Sequence, residues 1–153
     1  MEFIRGLYRE ANHYPKVTEQ DIDESPDALQ PEDLQRLAWP MVEPIFLQRQ
    51  REAAARYRRL AAKEASRTSS QLEEVVPAAY YRRVDTLFVP RREHRWGTFV
   101  PQEGKVSLHA KKQPGDEELL NLATAYTLRC GGTVYSVERE EMPEQSPVAA
   151  ILR

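Results

Sequence analysis

Three histidines, His13, His94 and His109, and the single cysteine, Cys130, are the residues of this sequence best suited to hold a metal or carry a nucleophile. Metal sites bring such side chains together in closely spaced pairs, because one loop or turn must aim two of them at one ion. Here the histidines are scattered, without cysteine or carboxylate neighbours at ligand spacing. Cys130 falls on the apolar stripe of a predicted helix, where a thiol behaves as a small buried hydrophobe. No nucleophile elbow, Walker loop or dinucleotide fingerprint is present. Gly131-Gly132 is too short to cradle a phosphate and suits the end of a helix. The run Asp116-Glu117-Glu118 complements the positive end of the helix that follows, and Glu138, Glu140 and Glu141 suit a solvated loop. The chain is therefore expected to be no enzyme, with no cofactor and no metal. A small stand-alone hydrolase is the competing expectation. It requires the fold to gather polar groups such as His94, His109 or Glu138 in one concave site.

The basic residues make a second candidate chemistry. Arg91-Arg92-Glu93-His94-Arg95-Trp96 follows Arg82-Arg83, and Lys111-Lys112 comes later. Arginine forks bind phosphates, and an adjacent tryptophan can stack on a base. Arg82, Arg83, Arg91, Arg92, Arg95 and Trp96 are thus candidate residues for binding RNA or a protein partner. The alternative is that Trp96 belongs to the core and the arginines solvate a loop. Charge is unevenly spread: residues 1–48 balance at −6, 49–79 at +3, 80–112 at +5 and 113–153 at −4. A pI near 6.0 falls short of the basic footprint of a dedicated nucleic-acid binder.

The elements that must position these groups follow from periodicity. Phe3 to Glu10 reads as a strand. A long helix begins at Pro31, with Glu32 and Asp33 in its first turn. Its broad stripe Leu34, Leu37, Ala38, Met41, Val42, Ile45 and Phe46 is expected to lie on a sheet, with a kink or break at Pro40 and Pro44. The half beyond Gln48, with only Ala53, Tyr57, Leu60 and Ala61 as apolar positions, is expected to be more exposed. Ser70 and Glu73 have capping-box spacing before a short helix. Val84–Val89 reads as a buried strand. Trp96–Val100 and Val106–His109 flank the turn Pro101-Gln102-Glu103-Gly104 as a hairpin. Asp116 is placed as the cap of a helix that Gly131 and Gly132 end. Strands follow at Thr133–Val137 and Pro147–Leu152. This order predicts one α/β domain over 1–153, a mixed sheet with helices on its faces.

With 41% apolar and 30% charged residues, the chain is globular rather than disordered. It has no apolar run long enough to span a bilayer, no secretory signal at its start, and a lone cysteine that cannot form an internal disulfide. A soluble cytoplasmic protein that binds neither DNA nor membrane is expected.

Four segments, taken in order, carry a resemblance. They are Leu72-Glu-Glu-Val-Val-Pro-Ala-Ala-Tyr80, Arg83-Val-Asp-Thr-Leu-Phe-Val-Pro90, Trp96-Gly-Thr-Phe99, and Gly131-Gly-Thr-Val-Tyr135 leading to Met142-Pro143 and Pro147-Val-Ala-Ala-Ile151. Tyr8-Arg-Glu-Ala-Asn-His-Tyr-Pro15 joins them at the start. The set resembles the C-terminal domain of the bacterial family related to archaeal and eukaryotic class 1 peptide-chain release factors. The resemblance implies a three-layer α/β/α sandwich with a mixed central sheet, similar to the kink-turn-binding ribosomal proteins. It implies a role in translation through a protein partner or the ribosome, and it implies that Met1 begins a piece of a longer protein. The hydrolytic Gly-Gly-Gln of release factors lies in another domain and is absent here, as is the Gly-x-Asn-Glu by which kink-turn proteins grip RNA. An isolated domain of this kind can also self-associate through a surface its neighbours would cover.

Overall fold

A computed structural model of the chain describes Ile22 and residues 29–153. The strand expected at Phe3–Glu10, and His13, lie outside the described residues. The chain divides into two units, Met1–Gln48 and Arg49–Arg153.

Helix α1 spans Pro31–Lys63. In the first unit it stays helical through Pro40 and Pro44, so of the kink or break expected there the break does not occur. Asp33 and Arg36 pair at 2.9 Å, and Trp39 and Phe46 stack with centroids 6.3 Å apart. The expectation about its two halves is reversed. None of the broad stripe Leu34–Phe46 is buried, and the buried residues of α1 are Ala54, Tyr57 and Leu60.

The second unit builds the sandwich. Strand β1 (Thr68–Ser69) precedes helix α2 (Leu72–Tyr80) and strand β2 (Val84–Pro90). The hairpin β3 (Trp96–Val100) and β4 (Lys105–His109) leads to the short β5 (Glu117–Glu118) and helix α3 (Leu119–Arg129). Strand β6 (Thr133–Val137) and strand β7 (Ala149–Leu152) complete it. The central sheet has the order β1-β7-β2-β6, and the hairpin forms a second sheet, β4-β3-β5. Strand β2 pairs parallel with β6 and antiparallel with β7, so the central sheet is mixed.

Alternation along β2 assigns the two faces. Leu87 and Val89 pack with Leu72, Val75 and Val76 of α2 and Leu119, Leu120 and Ala123 of α3. Phe88 points the other way, into Ala54, Tyr57 and Leu60 of α1, joined by Val137, Ala149 and Ile151. The sheet is thus sandwiched by helices, as expected. Val84 shares the face of Leu87 although an odd number of steps separates them. A register shift between Val84 and Thr86 accounts for this, because a bulge resets the alternation. The adjacent Asp85 accepts from Arg56 of α1 at 2.7 Å. Fully burying a side chain such as Phe88 or Leu87 is worth about 1.5–3 kcal/mol, so the two faces carry most of the stability of this unit.

The thin stripe of α1 docks because alanines at 53, 54 and 61 let the helix approach the sheet closely, and because Tyr57 finds a partner for its hydroxyl. Two caps also differ from expectation. Helix α2 begins after Gln71 with no side-chain cap, while Ser69, one residue before the expected position, donates to Glu74 at 2.6 Å. Helix α3 is capped by Glu118, which accepts from the N–H groups of Leu120 and Asn121. Asp116 instead accepts from Gln113 N–H and binds His109 Nδ1, both at 2.8 Å.

Candidate functional site

Strand β2 decides how the candidate arginines are distributed. Arg82 and Arg83 precede it and Arg91 and Arg92 follow it, so its seven residues hold the two pairs roughly 20 Å apart. The structure brings Arg91, Arg92, Arg95 and Trp96 together at one end of the parallel pair β2–β6. It places Arg82 and Arg83 at the other.

At the first end the charges are compensated within the chain. Glu93 pairs with Arg95 at 2.9 Å and also with Arg139, which enters from the turn after β6. Arg91 donates to Ser136 O at 3.1 Å and lies 3.6 Å from Glu138. Such half-exposed pairs add little stability, but they neutralise the forks that a phosphate would need. Only Arg92 of this group has neither an ion pair nor a side-chain hydrogen bond among the described residues. The Trp96 indole is half-buried, neither core nor free. His94 stacks on it with centroids 5.9 Å apart, and the Lys112 ammonium lies 4.6 Å from its centroid.

The polar groups that a hydrolase would use are each engaged in local contacts, although His94 and His109 both lie by Trp96, the cross-strand partner of His109. His94 is exposed against Trp96, His109 is held by Asp116, and Glu138 lies by Arg91 and closes the turn Arg139–Glu141. Burial alone would push the Asp116 carboxyl up. The Gln113 N–H, the His109 ring and the Lys112 charge outweigh it and leave that carboxyl below its ordinary value. Among the described residues no group of three or more His, Cys, Asp or Glu is placed to hold a metal ion. No helix among them is long and apolar enough to cross a membrane.

The opposite end of the sheet contains what sequence reasoning did not single out. Helices α2 and α3 lead into the parallel strands β2 and β6, so both end at this edge. There Tyr80 packs on Tyr81, Phe99 and Tyr126 with centroids 5.1–5.5 Å apart. Tyr81 donates to Pro101 O of the hairpin turn at 2.9 Å. The only local signal was the run Tyr80-Tyr81-Arg82-Arg83; Tyr126 and Arg129 join it through the fold alone.

The architecture and the sequence both have counterparts. Residues 4–83 match the model of bacterial archaeo-eukaryotic release factor family 3. The chain belongs to that family. Of the segments that carry the resemblance, Tyr8–Pro15 and Leu72–Tyr80 fall inside this match. The family member's structure also has a counterpart by shape. It is similar to the C-terminal domain of a peptide chain release factor from Methanosarcina mazei, at 14% identity and TM-score 0.60, over 82% of this chain and 96% of that one. At that identity the likeness establishes the fold. No curated protein matches the family member's sequence.

Proposed function

We propose that this chain is a non-catalytic interaction domain of a longer, cytoplasmic, translation-associated protein, docking on a protein partner or the ribosome. Its membership of a release-factor-related family, on a sandwich like that of a release factor's C-terminal domain, carries the reading. The absence of Gly-Gly-Gln from the sequence supports it. So does the engagement of His109 by Asp116 and of Glu138 by Arg91. Docking needs surface rather than a concave polar site. RNA binding through Arg82, Arg83, Arg91, Arg92, Arg95 and Trp96 is the less supported reading, because β2 holds the first pair away from the rest and Glu93 and Glu138 already occupy three arginines at the far end.

Co-sedimentation of the purified chain with bacterial ribosomes at low and moderate salt tests the proposal. Binding that survives moderate salt is the expected result. Binding lost with modest salt would mark non-specific charge attraction. If nothing sediments at either salt and no protein partner is found, docking is refuted. Hydrolysis of a peptidyl ester by the chain alone would refute the non-catalytic part.

A further inference from the structure

The edge of the sheet where α2 and α3 end combines three independent features. The first is how the helices stop. Arg83 N–H bonds Ala78 O and Arg82 N–H bonds Ala79 O, the paired bonds of a Schellman ending. Gly132 and Gly131 make the same two bonds to Thr127 O and Leu128 O at the end of α3. In α3 the left-handed position is Gly131, with φ 74°; in α2 it is Arg82, with φ 61°. Both endings deliver a basic residue beside an aromatic cluster.

The second feature is uncompensated charge. Arg82, Arg83 and Arg129 are exposed, and none has an ion pair among the described residues. The two helix C-termini offset about half a charge each, against these three arginines and Arg153, whose guanidinium donates to Cys130 O at 3.1 Å, so the edge stays positive. The far end of β2 contrasts with this, since its arginines face Glu93 and Glu138.

The third feature is exposed aromatic surface in the same place. Tyr80 is 40% and Tyr81 52% accessible, and Leu128 beside Arg129 is 56%. Tyrosine and arginine are the side chains on which interface energy concentrates, and a guanidinium fork accepts a carboxylate in two parallel hydrogen bonds. A net charge of −2 and pI 6.0 fall short of the basic footprint of a nucleic-acid binder, whereas a short acidic stretch needs only a local positive edge.

We propose that the edge formed by Tyr80, Tyr81, Arg82, Arg83, Tyr126 and Arg129 docks an acidic segment of a partner protein, its carboxylates on the arginines and an apolar side chain on the tyrosines. This rests on the docking reading above and names the surface and the partner's chemistry.

The test is fluorescence anisotropy with a short labelled peptide rich in Asp and Glu around one Phe, beside a labelled oligouridine of equal length. The expected result is peptide binding that falls about tenfold or more in R82E/R83E and in R129E. Tyr81→Ala should weaken it too, and R91E/R92E should leave it unchanged, with thermal unfolding showing every variant folded. R129E lies away from the strained position, so a misfolded R82E/R83E does not end the test. Equal losses in R91E/R92E, tighter binding of oligouridine, or no peptide binding would each overturn the proposal. So would self-association that R129E abolishes in place of peptide binding. Ribosome sedimentation separates the two readings. A folded R82E/R83E that sediments fully refutes this surface and leaves docking standing, whereas failure of the unaltered chain counts against docking itself.

Discussion

The Tyr57 hydroxyl donates to the Glu144 carboxylate at 2.6 Å, although Tyr57 is only 2% accessible and 87 residues separate the two. The bond joins the buried half of α1 to the loop that leads into β7. It makes an aromatic core position possible on a helix otherwise rich in arginine.

Tyr57→Phe keeps the ring and removes the bond, and is expected to cost about 1–2 kcal/mol in denaturant unfolding. Tyr57→Ala opens a cavity beside Phe88 and should cost about 3–5 kcal/mol. Burial, then the hydrogen bond and charge of Glu144, push the phenol well above its ordinary value, partly offset by a hydrogen bond with Ser70. A raised folded-state value means stability present below the unfolded value, about 10, and lost as pH rises past it. Unfolding at pH 8 and pH 11 should show a loss with pH that is smaller in Y57F; an equal loss would refute the assignment.

Arg82 and Arg92 hold φ 61° without being glycine. An L side chain in that region costs roughly 1–2 kcal/mol, partly returned in glycine's greater unfolded entropy. Arg82→Gly and Arg92→Gly should each raise stability by about 0.5–1 kcal/mol, while the alanine variants should not. If R82G stabilises the chain and weakens its docking together, the strain is kept for the contact rather than for the fold.

Two glycines are required for different reasons, which substitution separates. A Cβ at Gly97 would lie 2.1 Å from Ser107 O and 2.9 Å from Leu119 Cδ1. Gly97→Ala must therefore push β3 off β4 and should cost about 2 kcal/mol or more. Gly131 has open space around it, and only its φ of 74° excludes a side chain. Gly131→Ala should cost about 1 kcal/mol. Gly131→Asn, which tolerates that region better, should cost less.

Asp116 supplies the acid-side dependence. Its folded value is depressed, so its contribution is present above the unfolded value, about 3.9, and fades as pH falls through the folded one. Asp116→Asn should flatten the stability profile below about pH 4. An unchanged slope would show that other carboxyls set it.

Local patterns were legible without coordinates where neighbours in the chain are neighbours in space. Helix α2 follows from the apolar side Leu72, Val75, Val76, Ala79 and Tyr80, of which the first four are buried and Tyr80 is exposed. The hairpin follows from its Pro-Gln-Glu-Gly turn, where Gly104 takes φ 62°. The ending of α3 follows from Gly131-Gly132, and the central strand from its unbroken apolar run. The mixed sheet between helices followed from the order of those elements.

Which half of α1 packs was not legible. Periodicity reports that a face is apolar, not what lies opposite it, and the broad stripe of the first half outweighed Ala54, Tyr57 and Leu60. The caps were misplaced for a related reason. Ser70 and Asp116 have capping side chains, but Asp116 is drawn to His109, which the hairpin brings within reach. Charge was the least legible of all. Arg91, Arg95 and the remote Arg139 are answered by Glu138 and Glu93, while Arg82, Arg83 and Arg129 meet no carboxylate among the described residues. Residue types and spacing determine which segments become helix or strand, because those choices are local. Which charges are cancelled and which remain free is decided only when distant strands and helix ends are brought together, because electrostatic compensation depends on distance in space and not along the chain.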